Sequence, residues 1–182
     1  MPILKDELSI YPNELLDGAE DDERNWCVVH TKSRHEKAVA RELVNQETPF
    51  YLPLISKNQV IRGRHVQSHL PVFSGYLFLK GSEEERGRVM SSRRVSSVLP
   101  VHDETQLIRD LHQVRSLIEI DVPMTLEGRL VAGDRVRVKH GSMHGLEGVI
   151  IRRDNGDRLL IAVNYLQQGV SIQIDDYMVE PI

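Results

Sequence analysis

After Gly133 the sequence changes texture, and this constrains the fold most. Val136, Val138, Val149, Ile150, Ile151, Leu159, Leu160, Ile161, Val163, Val170, Ile172 and Ile174 fall in short β-branched runs with no helical period. Gly141, Gly145, Asp154-Asn155-Gly156-Asp157 and Gln168-Gly169 separate the runs. Asn155-Gly156 between two apolar runs is a hairpin signal. A stretch of short strands with no helix predicts a small five-stranded β-barrel over 132–182. Residues 120–131, punctuated by Pro123 and Gly128, have little periodicity and are expected to form a linker.

Ahead of that linker the pattern alternates. Trp26 to His30 is short, apolar and largely β-branched, as in a buried strand. A helix follows from about Arg34 to Gln46, with Thr31 or Ser33 as its cap, an apolar stripe of Val39, Ala40, Leu43 and Val44, and Pro49 as its stop. Phe50 to Ile61 and Val66 to Leu79 read as a long hairpin turning through Arg62-Gly63-Arg64-His65. A polar helix from about Glu83 to Ser92 and a strand over Val95 to Leu99 come next. Leu107, Leu111, Val114 and Ile118 then mark an amphipathic helix. The fold class is α+β: an N-terminal α/β sandwich over 26–119 with helices packed on a small antiparallel sheet, then the all-β barrel.

Charge adds a third region. Residues 1–25 hold only Lys5 and Arg24 against eight acids, so the acidic excess of a chain with net charge −4 lies in a leading segment. That segment is expected to be a flexible or loosely docked tail. Behind it the body is slightly basic, most of all over 32–64, where Lys32, Arg34, Lys37, Arg41, Lys57, Arg62 and Arg64 face Glu36, Glu42 and Glu47. Such a stripe suits either a phosphate-bearing partner or a solvated helix face.

The chemistry of catalysis and metal binding is missing from the sequence. His65/His69, His140/His144 and His30/His35 lie in strand or loop readings, where their spacing does not converge on a metal, and no HExxH frame occurs. Cys27 is the single cysteine and sits in an apolar strand, so it is expected to be a buried, inert thiol. No nucleophile elbow, P-loop or dinucleotide fingerprint is present. The expectation is therefore no enzyme, no cofactor and no metal. With no secretory signal and no apolar membrane span, a cytoplasmic protein without membrane contact is expected.

Two motifs are sharper. Leu70-Pro71-Val72-Phe73-Ser74-Gly75-Tyr76-Leu77-Phe78-Leu79 gathers three of the eight Phe and Tyr residues into six positions. They are either ordinary core or an exposed docking patch. Gly133 to Ile150 runs strand, glycine-rich loop, Gly148, β-branched strand, which is the KOW pattern; Gly148 is expected where the chain turns tightly.

Trp26 to His30, Lys37 in its helix, Phe73 to Phe78 and the KOW motif together resemble the NusG family of transcription elongation factors over about residues 25–182. His30-Thr31-Lys32-Ser33-Arg34-His35-Glu36-Lys37 and Arg62-Gly63-Arg64 are similar to its specialised RfaH-like and capsule-operon antiterminator paralogues. The resemblance implies binding to the clamp helices of the largest RNA polymerase subunit through His30, Phe73, Tyr76 and Phe78. It implies contact with the non-template DNA strand through Lys32, Arg62 and Arg64, and reduced pausing or termination. It implies an SH3-like KOW domain whose loop positions Gly141, Met143, Gly148 and Leu166 face Rho or a ribosomal small-subunit protein, in a monomeric chain. The alternatives are a housekeeping member coupling polymerase to Rho or the ribosome, and a KOW-type ribosomal or RNA-binding protein. A ribosomal protein would be far more basic than a pI near 6.1.

Overall fold

The computed structural model describes residues 8–18, 23–61, 63–175 and 178–182. The chain divides into two compact units, Met1–Glu104 and Thr105–Ile182.

In the first unit, β1 (Ile10–Tyr11), β2 (Asn25–Thr31), β3 (Phe50–Tyr51), β6 (Tyr76–Gly81) and β7 (Val95–Pro100) form an antiparallel sheet in the order β1-β3-β6-β2-β7. Helices α1 (Glu36–Asn45) and α2 (Glu83–Met90) supply Val39, Ala40, Leu43 and Val89 to one core. Cys27, Val29, Phe50, Leu77 and Leu79 meet them from the sheet. The alternate residues Trp26, Val28 and Phe78 are buried as well. Cys27 is fully buried, and burial pushes its thiol up to about 12, with Arg86 only partly offsetting this.

Two helix ends differ from expectation. Helix α1 starts after Arg34, which adopts φ +64 and cannot join the helix, and its N-cap His35 makes no side-chain cap. Neither Thr31 nor Ser33 caps it. Its far end is a Schellman turn rather than a proline stop: Thr48 N–H donates to the Leu43 carbonyl and Glu47 N–H to that of Val44, with Glu47 left-handed at φ +52. Helix α2 opens on a capping box, with Ser82 Oγ accepting from Glu85 N–H and Glu85 accepting from Ser82 N–H.

The expected tail is partly built into the sheet. β1 pairs with β3, Ser9 carbonyl accepts from Leu52 N–H at 2.6 Å, and Leu15 and Leu16 are buried. The acidic composition masked these apolar residues, which extend an otherwise free sheet edge. Residues 1–7 and 19–22 of that segment lie outside the described residues.

The long hairpin is present but divided. β4 (Leu54–Ile61) and β5 (Arg64–Pro71) leave the main sheet and pair only with each other. Ile61 pairs with Arg64, so β5 begins two residues earlier than the sequence suggests.

The second unit contains α3 (Glu104–Ile120) from Thr105 onward, a helix that the sequence pattern assigns to the first domain. Leu107, Leu111, Val114 and Leu117 are its buried apolar face, while Ile118 is half-buried. Six strands follow: β8 (Met124–Glu127), β9 (Asp134–Val138), β10 (Glu147–Arg153), β11 (Gly156–Val163), β12 (Gln168–Gln173) and β13 (Val179–Pro181). They form one antiparallel sheet, β13-β9-β10-β11-β12-β8. The expected count of five omitted β8, which lies inside the stretch read as a linker and pairs with Gly169–Ile172. Four residues are too few to show alternation, and the edge of β12 supplies the order. The β10–β11 turn is Asp154-Asn155, one residue earlier than expected, with Gly156 (φ +110) opening β11 opposite Arg153. Gly148 sits within β10 rather than at a tight turn. A Cβ there would overlap the Leu160 carbonyl and lie 2.8 Å from Leu159 Cδ1.

The capping box gives a pH-dependent prediction. The Arg24 guanidinium, donating to both Glu85 oxygens at 3.0 and 2.9 Å, holds that carboxyl below the usual range. A lowered folded pKa stabilises above the unfolded pKa and loses that contribution as pH falls through the folded one. Glu85→Gln should therefore destabilise at pH 7 by about 1 kcal/mol. Denaturant melts at neutral and acidic pH should show the gap to the parent closing below the ordinary Glu pKa of about 4.3. A gap constant down to acid pH would contradict the assignment.

Candidate functional site

The site is built at the end of the central strand pair. β2 and β6 run apolar until His30 and Tyr76, which are directly paired. Their rings stack, with centroids 4.8 Å apart and planes 18° from parallel, and both residues are half-buried. Behind them Phe73 and Phe78 meet edge-to-face at 6.1 Å and 88°.

Phe73 and Phe78 are only 2% and 0% exposed. The docking through all three rings that the resemblance implies is corrected here: Phe73 and Phe78 are core, and Tyr76 alone of the three reaches the surface, beside His30. Ring spacing along a strand fixes the side of the sheet but not whether that side is covered, which is why sequence left both readings open. Tyr76 and Phe78 do share a side.

A residue missed by sequence reasoning holds this corner. Glu36, 6% exposed in the first turn of α1, accepts from Gly75 N–H at 2.6 Å. Thr31 N–H donates to the Gly75 carbonyl at 2.8 Å, and Tyr76 N–H to that of Phe73 at 3.1 Å. Gly75 adopts φ +84, a left-handed conformation that favours glycine, and packs against the His30 ring, whose Cδ2 would lie in ordinary contact with a Cβ at 3.6 Å. The signal was present in the sequence as Glu36 within the His30–Lys37 run, but nothing local shows that its partner is 39 residues away.

The expected cationic residues fall into two places. Lys32 is exposed just past β2, and its N–H donates to the Arg94 carbonyl at 2.8 Å. Arg64 is exposed at the tip of the β4–β5 hairpin. Arg62 lies outside the described residues. Arg94 itself pairs with Glu42.

In the second unit Gly141 (φ +89) and the half-buried Met143 lie in the β9–β10 loop. Leu166 is half-buried at the end of the 3-10 turn Asn164–Leu166, while its neighbour Tyr165 is 37% exposed. Tyr165 is thus the aromatic side chain this loop presents, a residue the sequence reading passed over. The turn is fixed to α3: Asp110, 2% exposed, accepts from Asn164 N–H at 2.9 Å and from Gln106 at 2.7 Å. Burial pushes the Asp110 carboxyl above its usual range, and these hydrogen bonds oppose the shift. Gln113 Oε1 accepts from Glu147 N–H at 2.6 Å.

Among the described residues, no group of three or more His, Cys, Asp and Glu is placed to hold a metal ion, and no helix is long and apolar enough to cross a membrane.

A family model described as NusG, transcription termination factor nusG, matches residues 24–133. No curated protein matches the chain. Of solved structures, the chain is similar to Thermotoga maritima NusG, in a study of its domain interaction, at 18% identity over 87% of this chain and 97% of that one, with a TM-score of 0.44. It is also similar to the MjSpt4:Spt5 complex in conformation B, at 12% identity over 86% of this chain and 96% of that one, with a TM-score of 0.27.

Glu36→Ala should leave the half-buried Gly75 N–H without this acceptor, costing about 1 kcal/mol. Hydrogen exchange should show the Gly75 amide opening faster, and the Tyr76 ring resonances should shift as the stack loosens. An unchanged amide and ring spectrum would show that Glu36 does not position the corner.

Proposed function

The chain belongs to the NusG family, and from that premise we propose that it is a non-enzymatic transcription elongation and antitermination factor acting on dedicated operons. It binds the clamp helices of the largest RNA polymerase subunit and suppresses pausing or termination. The observation that carries this reading is the His30–Tyr76 stack, a half-exposed aromatic pair inside the matched region. A flat pair of rings at a sheet end suits an apolar groove between helices. Rigid aromatic anchors lose little entropy on docking and dominate interface energies. The exposed Lys32 and Arg64 suit the phosphates of a single DNA strand. Its work needs no cofactor, and it acts as a monomer in the cytoplasm.

The second unit serves as a KOW domain in this reading. One observation favours coupling to a further protein: the exposed Tyr165 beside Leu166, on a turn tied down by Asp110. An aromatic on a fixed turn suits Rho or a ribosomal small-subunit protein, as in the housekeeping role.

Pull-down of core RNA polymerase tests the main reading. His30→Ala and Tyr76→Ala should each weaken binding about tenfold or more, roughly 1.4 kcal/mol, without lowering the melting temperature much. Undiminished binding by both folded variants would sink it.

A further inference from the structure

In the second unit β11 is buried on both sides: Leu159 and Ile161 face one way and Leu160 the other, and none is more than 2% exposed. Helix α3 stands over the Leu160 side and is fastened there at two points. Asp110 accepts from Asn164 N–H at 2.9 Å, and Gln113 accepts from Glu147 N–H at 2.6 Å. Beside these ties the helix leaves a cavity of about 500 Å³, a size that suits a small molecule. Its floor is largely apolar. Arg135, Val149 and Leu160 form one cross-strand row over β9, β10 and β11, so their side chains share a face, and Ala162 follows two residues after Leu160. Its wall is one face of α3, carrying Gln106, Arg109, Asp110 and Gln113.

The polar groups of this lining are unequally used. Both carboxylates are occupied: Asp110, 2% exposed, accepts from Gln106 and Asn164, and Glu147 accepts from Arg137 at 2.9 and 2.6 Å. Several donors are free among the described residues. Gln113 gives its oxygen to Glu147 N–H, which leaves its Nε2 hydrogens unpartnered. The Arg135 guanidinium has no hydrogen-bond partner, and Arg109 donates only through Nε, to the Thr105 carbonyl at 3.4 Å. Charge follows the same pattern. Arg109, Arg135 and the Arg137 paired with Glu147 stand against two carboxylates, so one positive charge is left over.

We propose that this cavity binds a small organic carboxylate, whose anionic end pairs with Arg109 and Arg135 and whose apolar body lies on Val149, Leu160 and Ala162. Unused donors call for a group that only accepts, and a guanidinium takes a carboxylate through two parallel hydrogen bonds. The single surplus charge matches a monoanion. A phosphomonoester would bring a charge of about −2 against Asp110 and Glu147. The aliphatic floor offers no partner to a second polar end, so the rest of the ligand is apolar. The site uses neither His30 nor Tyr76, and it stands or falls apart from the polymerase reading.

Titration of the full-length protein with benzoate, phenylpropanoate and octanoate, each beside its neutral carboxamide and followed by amide NMR, tests this. At least one carboxylate should saturate, moving the Gln113 side-chain NH2 resonances and the Gly148 and Val149 amides. Its carboxamide, of the same shape without the charge, should bind about tenfold more weakly or worse. Arg109→Gln and Arg135→Gln, both at exposed positions, should each weaken the carboxylate about tenfold at a melting temperature near the parent's. Glu147→Gln removes a negative charge from the lining and should bind the carboxylate more tightly than the parent, a gain that damage to the fold does not produce. If one arginine variant fails to fold by circular dichroism, the other carries the comparison, and the acid–amide pairs need only the parent. Saturable binding by none of the three carboxylates overturns the inference. So do equal binding of acid and amide, shifts confined to other residues, unchanged affinity in the folded arginine variants, or weaker binding by Glu147→Gln. Tighter binding of phenyl phosphate than of benzoate overturns the choice of a carboxylate.

Discussion

The first unit depends on the pairing of β2 with β6. Trp26 to Val29 and Leu77 to Leu79 are all within 1% of complete burial, on both faces of the sheet. A strand apolar on both sides cannot choose its register by placing polar residues outward, because a one-residue slip exchanges one apolar set for another. Something at the ends must fix it. The corner at Gly75 does so: Glu36 takes its N–H, Thr31 takes its carbonyl, and the turn from Phe73 delivers Tyr76 opposite His30. The same contacts that set the register therefore place the two rings. Structure and candidate site share one origin, and a residue that loosens one loosens the other.

Much of this was legible because most elements carry their own signal. The β-branched runs after Gly133 became strands, and Leu107, Leu111 and Val114 became the buried stripe of α3. What was not legible has a common cause: it depends on a partner distant in sequence. β1 and β8 are two and four residues long and exist because β3 and β12 offer free edges. The burial of Phe73 and Phe78 is likewise tertiary. The turn at Asp154-Asn155 differs in kind, since Asn-Gly marks a turn nearby without fixing which two residues occupy it.

Glycine works differently in the two units. At Gly75 it supplies a left-handed backbone angle. At Gly148 it supplies absence of a side chain where β10 runs close beside its neighbour β11, since any Cβ would overlap the Leu160 carbonyl. The sequence showed the need for Gly148 but suggested a tight turn, and the reason is close packing of strands.

The ribbon β4–β5 poses a stability problem that its sequence answers only at the base. A two-stranded hairpin open on both faces is marginal alone in water. Here Leu54 and Val72 are buried at its foot, and Val72 N–H donates to the Pro53 carbonyl at 2.9 Å. Toward the tip the support ends: Val60 is 63% exposed and Gly63 adopts φ +76 with nothing within reach of a Cβ. Order is thus imposed from the sheet and weakens outward, so the residues best placed to meet a partner are those least fixed by the protein. Ordering them on contact consumes part of the binding free energy. That makes affinity at the tip modest.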